Sequence, residues 1–249
     1  FRMPESVVFD PAGKMFYVSN YDGYSQGSGA RQSISRVSPE GRLVQLEWAS
    51  GLANPTGLAV RGDRLYAVER GGVAEIALSS GEVTRRLPLP NPRFPNDIAL
   101  DEDGRIYVSD SGRNAVCRWD GHQWEDWLQG GELQAPNGLC LLGNRLLVGC
   151  SGSHSLCEVD LATRATRTLA RFDSGTVDGI RPDGAGGCLV SLWEGRLYRV
   201  SPDGSITRLL DRTPAPVHLA DFEYVPAAGL LVIPTFEGNR LAAYRLAPE

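Results

Sequence analysis

A four-residue pattern returns six times along this chain: "PESV" at 4, "PTGL" at 55, "PNDI" at 95, "PNGL" at 136, "VDGI" at 177 and "LADF" at 219. The starts are 51, 40, 41, 41 and 42 residues apart. Each copy runs into an apolar stretch, a glycine-bearing turn such as "DPAG", "DEDG" or "DGAG", and a second apolar stretch such as "FYVSN", "LYAVE" or "IYVSD". Two shorter runs usually follow, divided by turns such as "SPEG", "WDGH" and "SPDG". Short β-branched and aromatic runs bounded by Gly, Asp, Asn and Pro are strands, and no stretch holds a helical period beyond two turns. Four strands in roughly 40 residues is the period of a propeller blade. The expected fold is therefore all-β: one six-bladed β-propeller domain over residues 1–249, with four antiparallel strands per blade. The last copy shows only three runs. The N-terminal segment before Pro4, with residues upstream of Phe1, is expected to complete the sixth blade, because an unpaired edge strand is an aggregation hazard.

With 249 residues and 42% hydrophobic content, the chain has ample material for a core. A net charge of −5, no basic cluster and no run of 18 apolar residues argue against nucleic acid or a membrane as partner. A small molecule and a monomeric chain are expected instead. Five cysteines, Cys117, Cys140, Cys150, Cys157 and Cys188, form no C-x-x-C pair and read as buried thiols. Cys150 and Cys157 flank "SGSHSL" and are the one pair placed to bridge. Reduced thiols suggest a cytoplasmic protein. The start at "FRMPES" leaves a secreted or periplasmic origin open.

In a propeller the first strand of each blade lines the central channel, so the second motif position forms a ring at its mouth: Glu5, Thr56, Asn96, Asn137, Asp178 and Ala220. Two carboxylates and two amides converging from four blades suit a hard cation, which prefers oxygen ligands. An uncompensated Glu and Asp at a narrow mouth would repel each other. For any one of these residues the plainer role is hydrogen bonding to water, and Pro ahead of several of them restricts the turn into the strand.

The opening "PESVVFD", with "PNDIALDEDG", "PNGL" and "VDGIRPDGAGG" in order at blade spacing, resembles the SMP-30/gluconolactonase/LRE-like family of regucalcin-like propellers. The likeness covers essentially the whole chain. It implies Ca²⁺, or alternatively Mg²⁺, Mn²⁺ or Zn²⁺, held by Glu5, Asn137 and Asp178, with Asn96 completing the site or touching substrate. It also implies hydrolysis of lactones or related esters. Zinc's usual His and Cys ligands are missing from the ring. "RFPND" departs from the family's R-F-N-D pattern: Pro95 is inserted and Arg93 stands three residues before Asn96, which weakens the case for sugar-acid lactones.

The loops that return to the mouth supply further candidates: Tyr21 and Tyr24 in the long first insertion "SNYDGYSQGSGARQS", Arg70, His154, Trp193 and Phe236. That insertion suits a lid or specificity loop. His154 and His218 both lie near the top, where a His pair is one conceivable base. Asp110 and Cys150 belong to a second ring at the ends of the second strands, and Asp110 is a candidate substrate contact. On the expected mechanism the ion polarises the substrate carbonyl, and Asp178 orients or deprotonates the attacking water. Asp97 and Asp221 are alternative bases. Organophosphate hydrolysis and a calcium-stabilised binding scaffold are the competing readings.

Overall fold

The computed structural model describes residues 1–22, 31–213 and 217–246. Six antiparallel sheets follow one another along the chain, each built outward from its first strand. Blade 1 holds β1 (Pro4–Asp10), β2 (Met15–Asn20), β3 (Ser33–Val37) and β4 (Leu43–Ala49). Blade 2 holds β5 (Leu58–Arg61), β6 (Arg64–Glu69), β7 (Gly72–Ala77) and β8 (Val83–Pro88). Blade 3 holds β9 (Pro95–Leu100), β10 (Ile106–Asp110), β11 (Ala115–Trp119) and β12 (Trp124–Gln129). Blade 4 holds β13 (Pro136–Leu142), β14 (Arg145–Cys150), β15 (Ser155–Asp160) and β16 (Thr166–Arg171). Blade 5 holds β17 (Val177–Pro182), β18 (Cys188–Leu192), β19 (Arg196–Val200) and β20 (Ile206–Asp211). Blade 6 holds β21 (Glu223–Val225), β22 (Leu230–Thr235) and β23 (Arg240–Arg245). The repeat read in the sequence is thus the blade.

The two-residue period of a strand explains how the blades join. In β10, Ile106 and Val108 point toward blade 2 and pack with Val68, Val73 and Leu87, whereas Tyr107 points the other way and packs with Leu139 and Leu146 of blade 4. Every neighbouring pair of blades shares one such apolar cluster, including blades 6 and 1, where Val232 meets Val7, Phe16 and Val18.

That last cluster closes the circle. Among the described residues the sixth sheet has three strands, and no segment ahead of Pro4 pairs with β23. Among the described residues, blades 6 and 1 are joined by Phe1 in the shared cluster, the Met3 N–H donated to Asn239 Oδ1 at 2.6 Å, the Asp221 N–H donated to the Glu5 carbonyl at 3.0 Å, and the Phe9 N–H donated to Glu223 Oε2 at 2.9 Å. The lid expected in the first insertion, with Tyr24, lies outside the described residues.

Candidate metal centre at the channel mouth

A β-bulge in the innermost strand places the ring side chains. In β1, Pro4 pairs with Asn20 and Val7 with Val18, so Glu5 and Ser6 together face Ser19 alone. Asn96 and Asp97 face Ser109, Asn137 and Gly138 face Gly149, and Asp178 and Gly179 face Ser191 in the same way. A bulge bends the strand and re-aims the extra residue, here toward the channel axis. It also strands a backbone N–H, which must find another acceptor. The hydroxyls of Ser19, Ser109 and Ser191 accept the N–H groups of Ser6, Asp97 and Gly179 at 2.9, 3.0 and 2.8 Å. These three serines are fully buried in otherwise apolar strands. Sequence reasoning missed them, although the small polar residue inside "YVSN", "YVSD" and "LVSL" was the available signal.

Glu5, Thr56, Asn96 and Asp178 are all buried at the mouth. Burial, followed by the fields of Asp178, Asp221 and Asp97, pushes the Glu5 carboxyl well above the ordinary range. Burial and then Asp221 and Asp97 do the same to Asp178, while a hydrogen bond from Asn137 opposes the shift. The field of Asp178 thus acts on Glu5, as their places in the ring suggest. Glu5 Oε2, Asn137 Oδ1 and Thr56 Oγ1 are buried with no hydrogen-bond partner. A buried polar oxygen without a partner is costly, so each one calls for an explanation. Hard oxygen donors left unpaired beside two destabilised carboxylates fit a divalent cation of the calcium type. Among the described residues no group of three or more His, Cys, Asp or Glu side chains is gathered to hold a metal. The fit therefore rests on two carboxylates and the neutral oxygens around them.

One step deeper, Asp97 has both carboxylate oxygens engaged, whereas Asp221 has one engaged and its Oδ1 buried without a hydrogen-bond partner. Asp97 accepts the N–H of Ile98 at one oxygen and that of Leu139 in the next blade at the other, both at 2.7 Å. Burial and then Asp221 push its carboxyl up to about 7. Asp221 Oδ2 accepts from the Ser6 hydroxyl and from Arg181, each at 2.7 Å. Glycines at the equivalent positions of the preceding blades make room: a Cβ on Gly57 would stand 2.5 Å from Asp97 Oδ1, and one on Gly179 would stand 2.6 Å from Asp221 Oδ1. Both aspartates staple blades together.

Three of the predicted substrate contacts come together above the ring. Tyr21 packs on Phe236 with centroids 5.9 Å apart, Phe236 meets Trp193 edge-on at 5.0 Å, and Trp193 stacks on His218 at 4.7 Å. The chain holds them there through the Tyr21 N–H to the Met3 carbonyl and the Leu219 N–H to the Trp193 carbonyl. His218, two residues before Ala220, bonds Glu237 at 2.7 Å through Nδ1. His154 stands apart from it, with Nδ1 2.6 Å from the Gly175 carbonyl, so the two histidines do not work as a pair.

The remaining candidates hold other positions. Asp110 is fully buried, and its two oxygens accept the N–H groups of Arg93 and Phe94 at 2.9 Å, which fixes the loop leading into Asn96 and leaves no oxygen aimed at a ligand. Glu69 accepts the Ala53 N–H at one oxygen and Arg86 at the other, and Glu194 accepts the N–H and hydroxyl of Thr176. Arg70 is exposed, its N–H donated to the Ala53 carbonyl. Cys150 and Cys157 are free, buried thiols with sulfurs 3.6 Å apart. The hydrogen bond to Cys157, and then burial, push the Cys150 thiol up, away from a nucleophile's range.

Fold and site together define a six-bladed propeller with acidic and amide oxygens at its channel mouth. The family model described as SMP-30/Gluconolactonase/LRE-like region matches residues 3–219, and the chain belongs to that family. Among solved structures it is similar to a gluconolactonase from Xanthomonas campestris, at 19% identity over 99% of this chain and 86% of that one, with a TM-score of 0.81. It is also similar to regucalcin from Agrobacterium tumefaciens, a calcium-binding protein, at 17% identity over 93% and 81%, with a TM-score of 0.72. A catalytically inactive virginiamycin B lyase from Staphylococcus aureus matches at 12% identity over 98% and 95%, with a TM-score of 0.71. At these identities the likeness is one of fold. No curated protein sequence matches.

Proposed function

We propose that this protein is a divalent-metal hydrolase, calcium-dependent, that opens a lactone or a related ester at the channel mouth. The observation that carries the reading is the pair of unpartnered buried oxygens, Glu5 Oε2 and Asn137 Oδ1, beside two carboxyls held far above their ordinary range. Membership of the family, and fold neighbours that include a gluconolactonase and a calcium-binding regucalcin, support it.

Glu5, Asn137 and Asp178 would hold the ion, with Asn96 as a further ligand or a substrate contact. When bound, the ion supplies a Lewis acid that polarises the substrate carbonyl. Asn137 fixes the Asp178 carboxylate through their hydrogen bond, so an Asp178 oxygen turned toward the mouth has a set direction. That oxygen orients the attacking water and accepts its proton. The neighbouring fields of Asp221 and Asp97 raise the basicity of Asp178, offsetting the opposite pull of the cation. Tyr21, Trp193 and Phe236 contact the apolar part of the substrate and keep bulk water from the reacting carbonyl. The reading carries with it a small-molecule substrate and a monomeric chain.

The test is a panel of lactones, aryl esters and organophosphates assayed on chelated protein and on protein reloaded with calcium. Calcium-restored hydrolysis of at least one lactone or ester is expected. Turnover that survives chelation, or calcium-dependent stabilisation with no turnover of any substrate, would overturn it.

A further inference from the structure

Beneath the mouth the channel contains a positive charge of its own. Arg181 lies three residues beyond Asp178 on β17, roughly 7–10 Å further down the strand at its usual rise. Its side chain is 14% exposed, and its Nη2 meets Asp221 Oδ2 at 2.7 Å. Its Nε lies 4.0 Å from Glu223 Oε1, and its Nη1 donates to the Ile180 carbonyl at 2.8 Å. Its field also reaches Asp97 and Glu5, in each case drawing the carboxyl back down. Five carboxylates, Glu5, Asp97, Asp178, Asp221 and Glu223, therefore share this channel region with one guanidinium. That guanidinium pairs with Asp221 and Glu223 of blade 6, whereas among the described residues no cationic side chain lies within ion-pair distance of Glu5 or Asp178 at the mouth.

We propose that Arg181 is a fixed internal cation that neutralises Asp221 and Glu223 in the deep half of the channel and so limits the protein to a single divalent ion at the mouth. Arg suits this place because it stays charged when buried and presents several donors in a fixed plane. Taking Arg181 away leaves Asp221 and Glu223 buried and uncompensated, a state that is strongly destabilising unless another cation enters. The single-ion part rests on the proposed metal reading. The charge-balance part does not.

The experiment counts calcium ions per chain by calorimetry and measures Tm in chelator and in calcium for wild type, Arg181→Gln and Arg181→Gln combined with Asp221→Asn. Asn at 221 keeps an acceptor for the Ser6 hydroxyl, so the double variant removes the charge and little else. Wild type should bind one ion. The single variant should lose roughly 10 °C in chelator, bind a second ion and recover most of that loss in calcium. In the double variant one ion and at least half of the lost Tm should return. A single variant with one ion and the wild-type chelated Tm would overturn the proposal, and so would a double variant no more stable than the single. If the single variant does not fold, the double variant decides: folding supports the proposal and failure to fold refutes it. Wild type that binds no calcium would sink the metal reading and the single-ion clause with it, leaving the chelated Tm values to judge the charge balance.

Discussion

The backbone N–H of Asp97 donates to the Ser109 hydroxyl at 3.0 Å, directly beneath the bulge that turns Asn96 into the channel. Ser109→Ala leaves this buried N–H without an acceptor. The expected cost is about 1–3 kcal/mol, read as a Tm lower by several degrees. Calcium affinity should fall with it, because Asn96 loses its fixed direction. An unchanged Tm would mean that the bulge does not depend on the serine.

The carboxyls at the mouth make a signed prediction about pH. Glu5, Asp178 and Asp97 all titrate above their ordinary values when folded, so in this range the native chain binds more protons than the unfolded one. Their contribution to metal-free stability is present at acid pH. It is lost as pH rises from about 4 through the folded value of Asp97, about 7. A cation needs these groups ionised, so calcium should stabilise little at pH 5 and increasingly toward pH 8, with protons released on binding. Denaturation midpoints with and without calcium across that range test it. A calcium effect larger at pH 5 than at pH 8 would contradict the site.

Glu5 and Asp178 are expected to separate by function. Glu5→Gln and Asp178→Asn should each weaken calcium by at least about tenfold, since each removes a liganding charge. At saturating calcium Glu5→Gln should recover much of its kcat, whereas Asp178→Asn should stay inactive because an amide cannot accept the water's proton. Full recovery by Asp178→Asn would make Asp178 a ligand only.

Trp193 offers a check on the wall above the ring. Trp193→Ala removes both its stack on His218 and its edge contact with Phe236. KM for bulky apolar esters should rise severalfold, with calcium affinity unchanged because no proposed ligand is touched. Equal loss for small and bulky substrates would show that the wall only supports the fold.

The blade repeat and the ring could be read directly from sequence, because a strand–turn period and a motif at fixed phase are local signals. Tyr21, Trp193 and Phe236 could be placed on one face for the same reason. The Arg181–Asp221 pair could not, since its partners stand 40 residues apart and meet only when blades 5 and 6 close on each other. Asp110 was misleading from its position alone: an acid at the end of a second strand looks pocket-facing until the N–H groups of Arg93 and Phe94 are seen to claim both oxygens. The bulge serines recur at one phase in only three of the six second strands, and their task shows only once the bulge opposite each is seen. The sixth blade's missing run was legible, but the apolar cluster and side-chain hydrogen bonds that join blades 6 and 1 were not.

Whether a cation sits between Glu5 and Asp178 is decided by calcium titration of the chelated wild-type protein by calorimetry at pH 8, with Asp178→Asn beside it. One saturable ion per wild-type chain with proton release is expected, and binding weakened at least about tenfold in the variant. No saturable binding by wild type, or identical isotherms for the two proteins, would contradict it.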